Sequence, residues 1–221
     1  MEVTITNKNI LEKLDSLIDT FYSIYQKEQV SRIHNSHLVP SDKPTEWYMS
    51  KECLDVYYSA SDSHDGMPQD YRAVPMSHLL QKDERFVNLS DEWRYDFTKE
   101  IGAHTSALMN FYPEDGLTGW HTNWDANAYQ VLLTWSKDGD GYFKYRTNDG
   151  EIVTIEDTPG WSCRHYYFGR RDEPEHHCWH GCYTKGERFT LAYKFCNDFK
   201  TSVNDKLAQE IRDDFLEEIA S

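Results

Sequence analysis

Basic residues are scarce in this sequence. Its 221 residues include 23 Lys and Arg against 38 Asp and Glu, which gives a formal net charge of −15 at pH 7. A protein held to nucleic acid by a general basic surface is therefore disfavoured, although a local basic groove remains open. Long apolar runs are missing too, because none approaches the roughly 18 residues that a membrane-spanning helix needs. The sequence thus argues against an integral helical membrane protein.

Cysteine is sparse as well. The five cysteines are an odd number, too few for a disulfide scaffold at this length, and we interpret them as reduced intracellular thiols. The opening residues, MEVTITNKNI, show no charged segment followed by an apolar one, so no signal peptide is visible. Repeats, low-complexity tracts and long linkers are also lacking. We therefore expect a single domain over residues 1–221, located in the cytoplasm and without a membrane partner.

Aromatic residues, in contrast, are abundant at 14%, and there are ten histidines. From residue 104 onward, short runs rich in Tyr, Phe, Trp, Val and Thr alternate with turn residues. Eight short strands within about ninety residues are typical of a sandwich or jelly roll. The runs expected to form strands are 105–112, 117–123, 129–135, 142–146, 151–155, 161–168, 178–183 and 188–196.

Helical spacing of apolar residues marks both ends of the chain. It predicts an amphipathic helix over 8–27 and another over 202–220, which Ser202 would cap. A further helix is expected over 90–101, beginning at Ser90. The fold class is then α+β and mainly β, with helices before and after the strands.

The stretch from 35 to 90 contains four prolines and several Asp, Ser and Gly clusters, so we expect loops there, with a short helix near 50–60. The chain would then consist of three parts. These are a helical and loop region over 1–103, a catalytic jelly-roll core over 104–197 and a C-terminal helix over 198–221.

Two histidines suggest a metal centre. His121 lies in the second predicted strand and His180 in the seventh. Non-haem iron sites use two histidines and one carboxylate on one face of the metal, and leave the other face open. The carboxylate usually follows the first histidine by two residues, because positions i and i+2 of a strand point to the same side.

A binding site for an organic acid would complement such a centre. Arg188 begins the last predicted strand, eight residues after His180, where its guanidinium could fork onto a carboxylate. Asn110 and Tyr112 share one face of the first strand, and both can hydrogen-bond a small acid.

The order of these motifs resembles the 2-oxoglutarate- and Fe(II)-dependent dioxygenases. The motifs, all within residues 105–196, are NFY (110–112), PEDG (113–116), WHTN (120–123), WH (179–180) and RFTLAYKF (188–195). The first part resembles the AlkB-like branch, and the short step from His180 to Arg188 resembles the prolyl-hydroxylase-like branch. The resemblance implies a double-stranded β-helix that uses Fe(II), 2-oxoglutarate and O2 to hydroxylate a substrate.

The resemblance also implies which residues bind the metal and the cosubstrate. His121 and His180 would bind iron, and Arg188 would pair with the distal carboxylate of 2-oxoglutarate. Asn110 and Tyr112 would assist Arg188. Lys194, six residues after Arg188, occupies the position of a second arginine in the AlkB-like branch and would also contact the cosubstrate.

The sequence departs from the family pattern at the third metal ligand. Two residues after His121 stands Asn123, whose amide oxygen is a weaker ligand for a hard divalent ion than a carboxylate. Asp125 is two residues further and would be on the same side if the strand continued. We favour Asp125 as the anionic ligand. Asn123, or a two-histidine site completed by water, remains the alternative.

Other interpretations stay open at this point. His176, His177, Cys178 and Cys182 crowd the stretch around His180 and could form a zinc site together with Cys163 and His165. Arg188 could be a surface residue paired with Glu187 or Asp198. The whole domain could be a non-catalytic metal-binding or sensor protein, since Asn123 weakens the iron site.

The prime substrate cannot be read from the sequence. A protein side chain or a small molecule is favoured over nucleic acid because of the negative net charge. Arg170 and Arg171, in the loop before His180, could receive an acidic substrate, and Trp120 or Trp124 could face the substrate.

Overall fold

The structure is a computed structural model that describes residues 2–26, 30–60, 65–76, 84–124, 126–196 and 202–221. Its helices are α1 (Lys8–Ile24), α2 (Lys51–Ser59), α3 (Glu84–Asp91), α4 (Phe97–Glu100) and α5 (Lys206–Ile219). A 3₁₀ turn spans Thr45–Met49, and a π-helical turn over Glu92–Asp96 joins α3 to α4. Its strands are β1 (Glu2–Val3), β2 (Ser31–His34), β3 (Asp70–Pro75), β4 (Thr105–Tyr112), β5 (Gly116–His121), β6 (Ala128–Ser136), β7 (Gly141–Arg146), β8 (Ile152–Glu156), β9 (Gly160–Phe168), β10 (His180–Thr184) and β11 (Arg188–Phe195).

Strands β4 to β11 correspond to the eight predicted strands, and each end lies within two residues of the predicted position. They form two antiparallel halves, β9-β6-β11-β4 and β5-β10-β7-β8. Apart from the β7–β8 hairpin, the chain changes from one half to the other at every step. This alternation is the strand order of a double-stranded β-helix, so the predicted jelly-roll fold is confirmed.

Strand β3 joins the two halves, because Val74 and Pro75 pair with β4 whereas Tyr71 and Arg72 pair with β5. The prediction that residues 35–90 hold only loops and one short helix is therefore wrong for Asp70–Pro75. Its apolar and polar residues do not alternate strictly, and the flanking prolines concealed the strand. The short helix near 50–60 is confirmed as α2, which Ser50 caps by accepting a hydrogen bond from the Cys53 amide.

The helix boundaries differ in detail from the predicted ones. Ser90 does not begin a helix, because it lies inside α3. Helix α5 is capped by Asp205, whose carboxylate accepts from the Ala208 amide, rather than by Ser202. Asx and Ser residues compete for such positions, and sequence alone ranks them poorly.

Two apolar layers cover the barrel. The larger layer packs helices α1, α3 and α5 on the outer face of β9-β6-β11-β4, around fully buried side chains such as Leu14, Phe21, Phe111, Phe189 and Phe215. The smaller layer packs the 3₁₀ turn and α2 on the other half, around Tyr48, Met49, Tyr57, Trp120 and Tyr183. Because these layers bury the outer faces, the inner faces of the strands remain for a site.

No disulfide joins any of the five cysteines. In the part of the chain that the structure describes, no helix combines the length and the apolar character needed to cross a membrane.

Candidate metal and organic-acid site

His121 and His180 stand side by side inside the barrel. They are direct partners in the β5–β10 ladder, and their ring centroids are 4.2 Å apart. The Nδ1 atom of His121 lies 2.9 Å from the carbonyl oxygen of Gly119, and Nδ1 of His180 lies 2.9 Å from that of Cys178. A carbonyl can only accept, so each Nδ1 carries the proton. Both Nε2 atoms are thus left with lone pairs.

Both rings are neutral near neutral pH. Burial lowers the pKa of His121 to about 4 and the pKa of His180 well below its usual value, and in His180 the neighbouring His121 lowers it further. Neutral imidazole is the form that binds transition metals. These two predicted ligands meet because His121 is the last residue of β5 and His180 is the first residue of its antiparallel partner β10.

The described residues do not supply a third, anionic ligand beside the two histidines. Strand β5 ends at His121, and Trp124 has a positive φ of 53°, so the strand does not extend to Asn123 as expected. Asn123 lines the cavity beside the histidines. Asp125 lies outside the described residues. Among those that are described, no group of three or more His, Cys, Asp and Glu side chains could hold a metal ion.

The two histidines open onto a cavity of about 890 Å³ between the two halves of the barrel. Its wall includes every described residue that the sequence predicted for the site: Asn110, Tyr112, His121, Asn123, His180, Arg188 and Lys194. Strands β4, β5, β10 and β11 supply these side chains, except for Asn123, which follows the end of β5. Such a volume is in the range of small-molecule sites.

Arg188 lies at the inner end of this cavity and is only 2% exposed, so it is not a surface residue. Its Nε donates to Asp157 Oδ2 at 2.8 Å, and one terminal nitrogen donates to Thr190 Oγ1 at 2.7 Å. The other oxygen of Asp157 accepts from Arg164 at 3.1 Å. Burial alone would lower the pKa of Arg188, but Asp157 outweighs it and raises the pKa. The guanidinium is therefore charged, and its remaining donors are available to an acid in the cavity.

Tyr112 and Asn110 flank Arg188, as predicted. The Tyr112 ring lies 5.5 Å from the guanidinium carbon, and its hydroxyl lies 3.0 Å from the hydroxyl of Thr118. Asn110 Nδ2 donates to the Tyr112 hydroxyl at 3.4 Å. Burial raises the pKa of Tyr112 well above 10, so the phenol stays protonated and can donate.

Sequence reasoning missed Asp157, Thr190 and Thr118. Thr190 could have been found, since it is two residues after Arg188 on the same strand and must share its face. Asp157 lies between β8 and β9, 31 residues from Arg188, and no spacing rule joins the two.

The histidine- and cysteine-rich stretch before β10 does not form a zinc site. His176, His177, Cys178, Cys182, Cys163 and His165 are all described, and they belong to no group that could hold a metal ion. Cys163 faces the outer apolar layer, and His177 Nε2 lies 3.1 Å from Asp65. The zinc interpretation is therefore wrong for these residues.

The two tryptophans near His121 have different surroundings. Trp120 is fully buried in the outer apolar layer, where its indole donates to Ser50 O. Trp124 is 50% exposed and lines the cavity. Its ring lies so close to Gly66 that a side chain at that position would collide with it. Of the pair, Trp124 is the one placed to meet a substrate.

No protein-family model and no curated protein matches this sequence. Solved structures do show similarity. A prolyl-4-hydroxylase from Pseudomonas putida is 12% identical, with a TM-score of 0.33 over 82% of this chain and 98% of that one. A 2OG-Fe(II) oxygenase family protein from Burkholderia pseudomallei is 12% identical, with a TM-score of 0.34 over 80% and 89%.

A cupin-domain protein from Bordetella pertussis is 18% identical, with a TM-score of 0.28 over 41% of this chain and 78% of that one. The fold itself follows from the strand order, and the activity has to be argued from the residues of the site.

Proposed function

We propose that the protein is a 2-oxoglutarate- and Fe(II)-dependent oxygenase, with hydroxylation as its reaction. One observation carries this proposal. Two neutral, adjacent histidines with free Nε2 atoms share a cavity with a buried, charged arginine, inside a double-stranded β-helix. A metal with open positions beside a carboxylate anchor is the arrangement that this chemistry requires.

The chain's own residues would hold the metal and the cosubstrate. His121 and His180 fit a divalent iron ion through Nε2, because their Nδ1 protons are held by backbone carbonyls. Asp125 remains our choice for the anionic ligand, and Asn123 is the competing one. The bound iron, 2-oxoglutarate and O2 supply the oxidation of a C–H bond, with conversion of 2-oxoglutarate to succinate and CO2.

The inner end of the cavity would orient 2-oxoglutarate. Arg188 would bind its distal carboxylate, held in place by Asp157 on one edge and Thr190 on the other. Tyr112 and Asn110 would donate further hydrogen bonds. Because these groups are buried, water is excluded from the carboxylate, which strengthens the charge-assisted bonds. Lys194, which was also expected to contact the cosubstrate, lines the same cavity six residues after Arg188 on β11.

A non-catalytic metal-binding or sensor protein is the second candidate. Asn123 favours it, because this residue stands where the family pattern has a carboxylate and no described acidic residue replaces it. A site with two neutral histidines would bind iron weakly and would not balance its charge.

The two candidates differ in an optical signal and in turnover. We expect anaerobic addition of Fe(II) and 2-oxoglutarate to give a weak visible absorption band, because an iron-bound keto acid absorbs there. The same protein with Zn(II), or a His180→Ala variant with Fe(II), should give none. Admission of O2 should then produce succinate. A band without succinate would favour the sensor, whereas a protein that gives neither would refute the oxygenase proposal.

A further inference from the structure

The cavity differs in charge from the rest of the chain. The whole sequence carries 38 acidic and 23 basic residues. Yet none of the described residues that line the cavity is Asp or Glu, whereas Arg94, Arg188 and Lys194 are among them. A cationic cavity in an acidic protein concentrates anions locally. Arg188 accounts for one anion at the inner end, so the other two basic residues need a separate explanation.

Lys194 and Arg94 lie at the opposite end from Arg188. Lys194 is six residues further along β11, which corresponds to roughly 20 Å at 3.4 Å per residue. The Tyr193 hydroxyl donates to Trp93 O at 3.0 Å, which fixes the residue after Trp93, Arg94, next to this end of β11. By strand register the histidine pair lies between the two ends, since Thr118 is level with Tyr112 and His121 is three residues beyond it.

Neither side chain at this outer end has an ion pair with another described residue. Lys194 Nζ has a backbone oxygen, that of Ala126, at 3.5 Å. Burial lowers the pKa of Lys194, which shows that its charge is partly desolvated. Since no described carboxylate balances this partly buried cation, the site favours binding of an anion.

Other arginines near the site do not compete for this role. Arg164 pairs with Asp157, Arg170 with Asp172, and Arg171 with Asp65, and none of the three lines the cavity. The expectation that Arg170 and Arg171 receive an acidic substrate is therefore not supported, because their charges are already balanced.

We propose that the outer end of the cavity binds an anionic group of the prime substrate, a carboxylate or a phosphate, through Lys194 and Arg94. Gln130, the register partner of Lys194 on β6, lines the same wall and presents an amide. Trp124 and the apolar wall around Leu132 and Phe168 would contact the uncharged part of the substrate. The identification of the ligand as the prime substrate rests on the proposed oxygenase function, whereas the anion site itself does not.

Fluorescence titration of the metal-free protein tests the anion site. The probes are 1-anilinonaphthalene-8-sulfonate and its uncharged analogue N-phenyl-1-naphthylamine, which differ in one anionic group. Lys194→Gln and Arg94→Gln should each weaken binding of the sulfonate about tenfold, since a hydrogen bond to a charged group is lost. Binding of the uncharged analogue should be unchanged. Lys51→Gln, an exposed lysine on α2, is the matched control and should bind both probes like the parent.

A further variant and competition measurements identify the anionic group that binds and the end of the cavity at which it binds. Lys194→Arg should restore sulfonate binding, and competition with benzoate or phenyl phosphate should show which anion the site prefers. The proposal is overturned if the parent does not prefer the sulfonate, if both probes weaken equally in the variants, or if Lys194→Gln weakens only 2-oxoglutarate. A protein that shows the anion site but no iron-dependent 2-oxoglutarate binding would retain this inference and lose the oxygenase function.

Discussion

At the scale of single residues, backbone carbonyls determine what His121 and His180 can do. Gly119 and Cys178 each accept the Nδ1 proton of a histidine two residues further along the chain. This local arrangement keeps each ring in the tautomer whose Nε2 carries the lone pair, and both residues line the cavity. The same principle operates at Arg188, where Asp157 and Thr190 hold the guanidinium before any ligand arrives.

Replacing either histidine tests the metal centre directly. His121→Ala or His180→Ala should abolish stoichiometric iron binding, because one neutral donor cannot retain the ion. His176→Ala and His177→Ala should bind iron like the parent, since neither ring lines the cavity. Metal analysis after anaerobic reconstitution gives the answer. Loss of iron only in the latter two variants would move the site into the loop before β10.

Arg188→Ala tests the proposed binding of the distal carboxylate of 2-oxoglutarate by Arg188. We expect the free energy of 2-oxoglutarate binding to weaken by about 2–5 kcal/mol, because a buried charge-assisted pair loses one partner. The fold should survive, since Asp157 keeps its ion pair with Arg164. Calorimetry on the iron-loaded protein measures the affinity, with Arg170→Ala as the exposed control. An unchanged affinity in a folded Arg188→Ala protein would rule out the assigned cosubstrate.

Variants of Asp125 and Asn123 test which of the two residues is the third metal ligand. Before 2-oxoglutarate binds, one carboxylate ligand halves the charge of a divalent iron, whereas an amide ligand leaves the full +2 charge. We predict that Asp125→Ala costs more iron affinity than Asn123→Ala, and that Asn123→Asp is tolerated or tightens binding. Iron titrations on the three variants decide between them. If Asn123→Ala alone loses iron, the amide or a carboxylate-free site takes the place of Asp125.

At the scale of elements, helix α5 packs on the outer face of β6 and β11. Gln209 donates to the hydroxyl of Tyr129 at 2.8 Å, and the guanidinium of Arg212 lies 4.6 Å from the centre of the same ring. His165 on β9 lies under this helix. Burial, together with the nearby charge of Arg212, lowers the pKa of His165 to about 4. The packing of one helix thus makes an outer-face histidine sensitive to pH.

This packing predicts a pH dependence of stability. In the unfolded chain His165 binds its proton near pH 6.5, but in the folded chain only near pH 4. Between these values the unfolded state binds more protons, so stability falls as the pH decreases from about 6.5 to about 4. In His165→Gln we expect this loss to be smaller by on the order of 1–2 kcal/mol. Urea unfolding at both pH values measures it, and identical losses in the two proteins would contradict the prediction.

At the scale of the whole molecule, two outer apolar layers carry the stability and leave the barrel interior for the site. Phe21 of α1 shows how the larger layer is held together. Its ring is completely buried and lies 4.7 Å from the ring of Phe111 on β4 and 5.3 Å from that of Phe189 on β11. One helix residue therefore contacts two strands that also line the cavity on their other face.

Phe21→Ala should lower the free energy of unfolding by about 3–5 kcal/mol, because it removes a buried ring and leaves a cavity. Tyr95→Ala is the control, since Tyr95 is 64% exposed and its truncation should change stability by no more than about 0.5 kcal/mol. Chemical denaturation of the three proteins tests this. Equal stabilities would show that α1 is not part of the cooperative core.

Much of this architecture was predictable from the sequence, because alternating aromatic and β-branched runs and their turn residues act locally. The eight strands of the barrel and helix α1 follow from periodicity, whereas a shared site for His121, Arg188 and Tyr112 was expected from their order along the chain and the family resemblance. The strand β3 did not, since its pairing with both β4 and β5 compensates for a weak local pattern. The predicted strand 117–123 also ends early, at His121, and Trp124 follows with a positive φ.

The sequence by itself thus determined which residue types were available for a metal and an acid, and on which strands they lie. Only the tertiary structure decided which of them meet. The adjacency of His121 and His180 depends on the pairing of β5 with β10, and the buried Arg188–Asp157–Arg164 chain joins three segments of the barrel. The meeting of Arg94 with Arg188 and Lys194 in one cavity is likewise a property of the folded chain, because Arg94 lies on the π-helical turn and the other two on β11.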